Sequence, residues 1–122
     1  MAEHNDLGHR GEQLAQSFLK DKGFRILHVN WRHRKLEIDI IAMDGEILVF
    51  VEVKTRQTII FGEPEDAVDY KKRRSLIHAA NAFVLKYGIE NDARFDIVSI
   101  IIDKNSTVIN HFPDAFYPTL QS

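Results

Sequence analysis

Residues 35–56, KLEIDIIAMDGEILVFVEVKTR, put carboxylates inside what otherwise reads as two buried strands. Asp44-Gly45 marks a tight hairpin, because a type I′ turn needs positive φ at both central positions. With those two residues as the turn, Met43 faces Glu46, Ile41 faces Leu48 and Asp39 faces Phe50. Side chains alternate along a strand, so Glu37, Asp39, Ile41 and Met43 share a face with Glu46, Leu48, Phe50, Glu52 and Lys54. The other face is wholly apolar: Ile38, Ile40 and Ala42 with Ile47, Val49, Val51 and Val53. Strands apolar on both faces belong in the interior of a sheet covered on each side.

In that setting the charges carry information. Asp39 and Glu52 come out as diagonal neighbours, with Cβ atoms about 7 Å apart, and Lys54 projects beside Glu52. Two carboxylates in a covered site repel each other and lose hydration, which costs several kcal/mol unless something compensates. A divalent cation compensates directly, and hard oxygen ligands suit Mg²⁺ or Mn²⁺. The competing reading is a salt-bridge cluster at a sheet end, Glu52 with Lys54 and Glu37 with Lys35. An Asp on the paired strand, on the same face, favours the cation.

With 122 residues, 44% of them hydrophobic, the chain is expected to form one domain, a core over 7–112 with an irregular tail over 113–122. One core leaves room for one site. The absence of cysteine excludes disulfides, thiolate zinc sites and a thiolate nucleophile, and fits a reducing compartment. The opening MAEHNDLGHR has no apolar segment and no run approaches membrane-spanning length, so the expected setting is cytoplasmic, away from membranes. A net charge of −2 is low for a dedicated nucleic-acid binder. It implies weak, salt-dependent binding to phosphate, or help from a partner.

In chain order, residues 7–22 read as a helix with Leu7, Leu14, Ala15 and Phe18 on one stripe and Leu19 at its edge, Asp6 as N-cap and Gly23 as stop. Gly8 and Gly11 lie by the stripe, where a missing side chain allows close approach to a sheet; no strand precedes them, so they are not a phosphate loop. Glu12 sits at the stripe's border, either a surface acid in the first turn or a third carboxylate leaning over the sheet. Residues 24–33 alternate only partly and suit an outer strand, with Trp31 as a packing anchor. The turn Arg32, His33, Arg34, Lys35 is either solvated or in contact with phosphate. Residues 57–64 read as a loop, whose Ile59, Ile60 and Phe61 suit a dimer contact. Residues 65–87 form a second helix with Leu76, Ile77, Ala80, Phe83, Val84 and Tyr87 buried. Its run Lys71 to Arg74 wraps around the helix, with Lys72 and Arg73 nearest the buried stripe. Residues 94–103 read as another central strand, with Arg94 and Asp96 a structural pair, followed by a short strand over 107–112. The six histidines do not cluster, and no HExxH or GxSxG occurs. The order α-β-β-β-α-β-β gives a mixed α/β sheet with helices on both faces and the third and fourth strands parallel.

Asp39 followed by Glu52-Val53-Lys54 resembles the PD-(D/E)xK signature of the restriction-endonuclease-like nuclease superfamily. Gly8, Gly11 and Glu12, the run Asn30 to Arg32, Glu37 to Asp39, Phe50 to Arg56 and Arg94 to Asp96 together resemble the YraN family of small bacterial proteins, close in fold to archaeal Holliday-junction resolvases. The resemblance spans residues 8–102. In one departure, Leu36 stands where that family usually has Gly, which bears on the local backbone path. The resemblance implies an αβββαβ restriction-endonuclease-like core, with Mg²⁺ or Mn²⁺ held by Asp39, Glu52, the Val53 carbonyl and Glu12. Lys54 becomes the catalytic lysine, and Arg32, Arg34, Lys35, Arg56, Lys72 and Arg73 become contacts to nucleic acid. The expected activity is metal-dependent hydrolysis of phosphodiester bonds in DNA, branched or single-stranded. Two rivals stay open: a nucleic-acid-binding module without turnover, and an adaptor whose acids form salt bridges. A homodimer or protein partner also stays open.

Overall fold

A computed structural model describes residues 3–57 and 70–116, with side chains from Asp6 onward. Its elements are α1 (Glu3–Asp21), β1 (Arg25–His33), β2 (Leu36–Asp44), β3 (Ile47–Arg56), α2 (Tyr70–Tyr87), β4 (Ala93–Ile102) and β5 (Thr107–Phe116). The five strands form one sheet in the order β1-β2-β3-β4-β5. β3 and β4 are parallel, since α2 carries the chain back across the sheet, and the other pairs are antiparallel. This mixed sheet between two helices is the expected α/β class and is consistent with a restriction-endonuclease-like core.

Two apolar layers sandwich the sheet. On one side Ala15 and Leu19 of α1 pack on Ile40, Ala42, Val49, Val51, Val98 and Ile100. On the other, Leu76, Ala79, Ala80 and Phe83 of α2 pack on Ile41, Leu48, Phe50, Phe95 and Ile97. Leu19 is fully buried rather than marginal, whereas Tyr87, expected inside, is exposed. The buried stripe of α2 is Leu76, Ala79, Ala80 and Phe83.

α1 ends where expected, and its hydrogen bonds show how. Gly23 has φ +96°, its N–H bonds to Lys20 and the Phe24 N–H to Leu19, both at 2.9 Å. Phe24 then folds onto Leu19 in the same apolar layer, the usual companion of this cap. The beginning of α1 differs from expectation: the helix is under way by Glu3, so Asp6 lies within it rather than capping it. There it interacts with the dipole of the first turns. β5 also runs on to Phe116, whose ring stacks on Phe95 with centroids 4.8 Å apart. That aromatic contact carries the strand past Pro113, where an irregular tail was expected. The loop and dimer contact placed at 57–64, apart from Gln57, and the start of the second helix at 65–69 lie outside the described residues.

The β2–β3 turn falls one residue later than the pattern indicates. Asp44 pairs with Ile47, Met43 with Leu48 and Ile41 with Phe50. Gly45 and Glu46 are therefore the central residues, and only Gly45 has positive φ, at +61°. This suits a turn with Gly at its first central position, not the expected type I′ turn. The shift moves the pairing by two residues, which preserves the faces of Ile41, Leu48 and Phe50.

Strict alternation nevertheless fails around Asp39. Ile38 joins the α2 layer and Ile40 the α1 layer, although both were expected on one face. Pairing between β2 and β3 stops at Ile40 and Val51. On the other side of β2, β1 carries a register shift between Ile26 and His28, and Asn30 has φ +54°. With β3 no longer paired and Asn30 of β1 in a left-handed conformation, β2 turns between its two layers at Asp39. No described helix is long and apolar enough to cross a membrane.

Candidate functional site

A pocket of about 310 Å³ opens at the break in alternation, lined by Gly8, Glu12, Asp39, Glu52, Val53 and Lys54, with Leu7 and Thr55 at its sides. Three elements meet there. β2 supplies Asp39, β3 supplies Glu52 to Thr55, and the first half of α1 supplies Gly8 and Glu12. The helix reaches the sheet because Gly11 is buried against Thr55: a Cβ on Gly11 would lie 1.9 Å from the Thr55 Oγ1. Gly8 needs no such clearance, as a Cβ there would meet nothing within 4 Å. The close approach expected of both glycines is the property of Gly11 alone.

Asp39 stands in for the missing ladder bond. Its Oδ2 accepts the Val53 N–H at 2.8 Å, beyond the last β2–β3 pair. Its carboxyl shares the pocket with that of Glu52, close enough for the two to interact. Burial first, and the Glu52 charge second, push Asp39 up from 3.8 to about 8, with Glu12 adding to the effect. Glu52 is 4% exposed, and its Oε1 is buried with no hydrogen-bond partner. Its Oε2 faces two ammonium groups, Lys54 and Lys72, each at 3.6 Å. Two cations therefore offset the charge of Glu52, while Asp39 accepts the Val53 N–H.

The sequence-predicted residues therefore divide. Asp39, Glu52, Val53, Lys54 and Glu12 are brought to one pocket. Glu12, however, is held by Asn30, whose side-chain amide donates to Oε1 at 3.1 Å. Among the described residues no three His, Asp or Glu side chains are disposed as a ready metal cage. Lys72, expected on phosphate, is committed to Glu52 instead. The Arg73 guanidinium lies over the Phe116 ring at 5.4 Å. Arg32 pairs with Glu37 at 3.5 Å, the acid that the competing salt-bridge reading gave to Lys35. Arg34 and Lys35 form the exposed β1–β2 turn, with Arg34 at φ +58°, and Arg56 closes β3 opposite Ile101. Trp31 is the anchor expected, edge-on to Phe83 at 5.2 Å.

Asn30 is the residue that strand reasoning passed over. Its place in the β1–β2 register lies opposite Asp39, between the pairs Val29–Ile40 and Trp31–Ile38. Asn is among the few non-glycine residues that tolerate positive φ, and that conformation aims its amide at α1. Asn in mid-strand is the only hint that the sequence contains.

A second polar cluster is structural. Asp96 is fully buried and accepts from Arg94 at 3.0 Å, from His111 at 2.7 Å and from the Asp114 N–H at 2.9 Å. Lys22 donates to the other nitrogen of His111 at 2.9 Å, which leaves Nε2–H to face Asp96. Burial alone would raise Asp96, but the bonds from His111, Arg94 and Asp114 outweigh it and hold the carboxyl below its ordinary value. The Arg94–Asp96 pair is as expected. His111 does more than pack, since it ties β5 and the end of α1 to β4.

Comparison with known proteins agrees with the motif pattern. Residues 11–100 match the uncharacterised protein family UPF0102. The UPF0102 protein FP2501 of Flavobacterium psychrophilum is 49% identical over 117 residues, covering 96% of this chain and 98% of that one. A UPF0102 protein of Phocaeicola vulgatus is 43% identical over 120 residues, covering 98% and 99%. One of Christiangramia forsetii is 46% identical over 117 residues, covering 96% and 98%. A match across nearly the whole of each chain makes this chain a member of the UPF0102 family, the YraN-like proteins.

Proposed function

We propose that this protein is a metal-dependent nuclease that hydrolyses phosphodiester bonds in DNA, with branched or single-stranded DNA as first substrates. One observation carries the reading: the half-buried Asp39 and the buried Glu52 line one pocket, with Lys54 at 3.6 Å from Glu52. A fold keeps such a pair only if something offsets the repulsion. The donor set fits a hard divalent cation, Mg²⁺ or Mn²⁺: two carboxylates, one with a buried oxygen lacking any partner, and a third carboxylate on α1. Asp39, Glu52 and the Val53 carbonyl would hold it, with Glu12 closing the set. Bound there, the cation would neutralise phosphate charge and make water more acidic.

The chain's own groups do the rest. The Val53 N–H fixes one oxygen of Asp39 and leaves the other toward the pocket. Lys54 is part-exposed, so its ammonium can meet a phosphate and offset charge that builds in the transition state. Lys72 balances Glu52 when no substrate is present. Asp39→Ala and Lys54→Ala are expected to abolish Mn²⁺-dependent cleavage of single-stranded and branched DNA while far-UV circular dichroism stays unchanged. Undiminished cleavage by both variants would remove the proposal.

A second reading has its own support. Lys54 and Lys72 together already neutralise Glu52, as a nucleic-acid-binding module without turnover would require. Calorimetric titration with Mn²⁺ separates the two, because the module has no need to bind the cation.

A further inference from the structure

Away from the acidic pocket, a groove of about 820 Å³ runs between the tip of the β1–β2 hairpin and the outer side of α2. His33 and Arg34 line one wall, and His78, Asn81, Leu85 and Lys86 line the other. No carboxylate is among the described residues lining it, in a chain whose net charge is −2. That contrast matters: the cations of this groove are not balanced within it, unlike Arg32, which is paired with Glu37, or Lys72, which is paired with Glu52.

The lining is also not purely cationic. Leu85 is 73% exposed at the rim, and His33 stacks flat on Trp31, with ring planes 6° apart. Aromatic faces and apolar rims beside a cationic track are what unpaired bases and their phosphates require together. A duplex buries its base faces and cannot use them. Both walls lead back to the acidic pocket. Along α2, His78 is six residues from Lys72, about 9 Å of helix. Along β2, the lining residue Leu36 is three residues from Asp39, about 10 Å of strand.

We infer that this groove binds a single-stranded nucleic-acid segment adjoining the bond to be cut, with Arg34 and Lys86 on its phosphates and the His33 face available to a base. The inference rests on the nuclease reading for its orientation, and its binding step is tested apart from cleavage. Fluorescence anisotropy of a labelled 15-nucleotide oligothymidylate is measured in EDTA over a range of salt, beside a duplex of equal length. The full chain is compared with Arg34→Gly, Lys86→Gln and the double variant. Gly suits the positive φ of Arg34, so the loss of charge does not strain the turn. Lys20→Gln with Lys104→Gln, both exposed and outside the groove, is the control.

The double variant is expected to bind the single strand at least about tenfold more weakly, with the salt slope reduced by about 1.4, as two lost phosphate contacts predict. The control is expected to lose no more than about twofold, and the duplex to bind more weakly than the single strand. Equal losses in groove and control variants, or none in either, overturn the inference. So does tighter binding of the duplex. Unimpaired Mn²⁺-dependent cleavage of a long single strand by the double variant overturns the groove while sparing the nuclease reading. Groove-dependent binding without cleavage does the reverse.

Discussion

Replacing Asp39 by Asn tests whether the acidic pair is strained without a cation. Asn keeps the shape and can still accept the Val53 N–H through its carbonyl oxygen, so the ladder substitute at 2.8 Å survives. What disappears is a half-buried carboxyl pushed from 3.8 to about 8 by desolvation and by Glu52. A raised value means that the folded state holds its proton over a range where the unfolded chain has lost it. The associated stability is complete below about pH 4 and is lost as pH rises through about 8. The full shift corresponds to a ceiling of about 6 kcal/mol between the two protonation states. Water at the pocket mouth and the ammonium groups of Lys54 and Lys72 screen the repulsion, which brings the expected effect to about 1–3 kcal/mol. Urea denaturation in EDTA is therefore expected to find the two proteins within about 0.5 kcal/mol at pH 4.5, and Asp39→Asn about 1–3 kcal/mol more stable at pH 9. Adding Mg²⁺ at pH 8 is expected to stabilise the unmodified chain by RT ln(1 + [Mg²⁺]/Kd) and the variant by much less. A variant equally or less stable at pH 9, with no divergence between the two pH values, would refute the reasoning.

Gly11→Ala places a Cβ 1.9 Å from Thr55 Oγ1 and 2.8 Å from its Cβ, so it is expected to cost about 1–3 kcal/mol, with part recovered by adding Thr55→Ala, read from urea midpoints. Asn30→Gly removes the strain of φ +54° and Asn30→Ala keeps it, yet both lose the donor to Glu12. Both are therefore expected to weaken Mn²⁺ binding to the same degree in calorimetry, while only Ala lowers stability, by about 1 kcal/mol. Asp96→Ala leaves Arg94 without its buried acid and is expected to cost about 3–5 kcal/mol. Because Asp96 is held below its ordinary value, its contribution is present above about pH 4 and lost as pH falls, so the unmodified chain but not Asp96→Asn is expected to lose this contribution on acidification.

Local pattern was enough for the elements and for the approximate neighbourhood of the acids. The apolar runs of β2, β3 and β4 announced a sheet covered on both sides, and the helix between β3 and β4 announced their parallel pairing. Gly23 announced the end of α1. Those signals act over a few residues, where backbone preference and solvent exposure decide without reference to distant chain. The parity of the hairpin as far as Ile40 survived the shift of the turn by one residue, but the side to which Asp39 turns was not set by it, since alternation breaks there.

Tertiary contact decided the rest. Ile38 and Ile40 go to opposite layers where pairing with β3 ends and Asn30 of β1 takes positive φ opposite Asp39, which periodicity within β2 does not encode. Glu12 meets Asn30 across 18 residues, and Lys72 meets Glu52 across 20. Asp96 gathers His111 from 15 residues away. A strand's residues know their neighbours by covalent spacing. Which long polar side chain answers a buried carboxylate is settled only when packed layers bring separate elements within about 3 Å, since charge and hydrogen bonding discriminate only at contact.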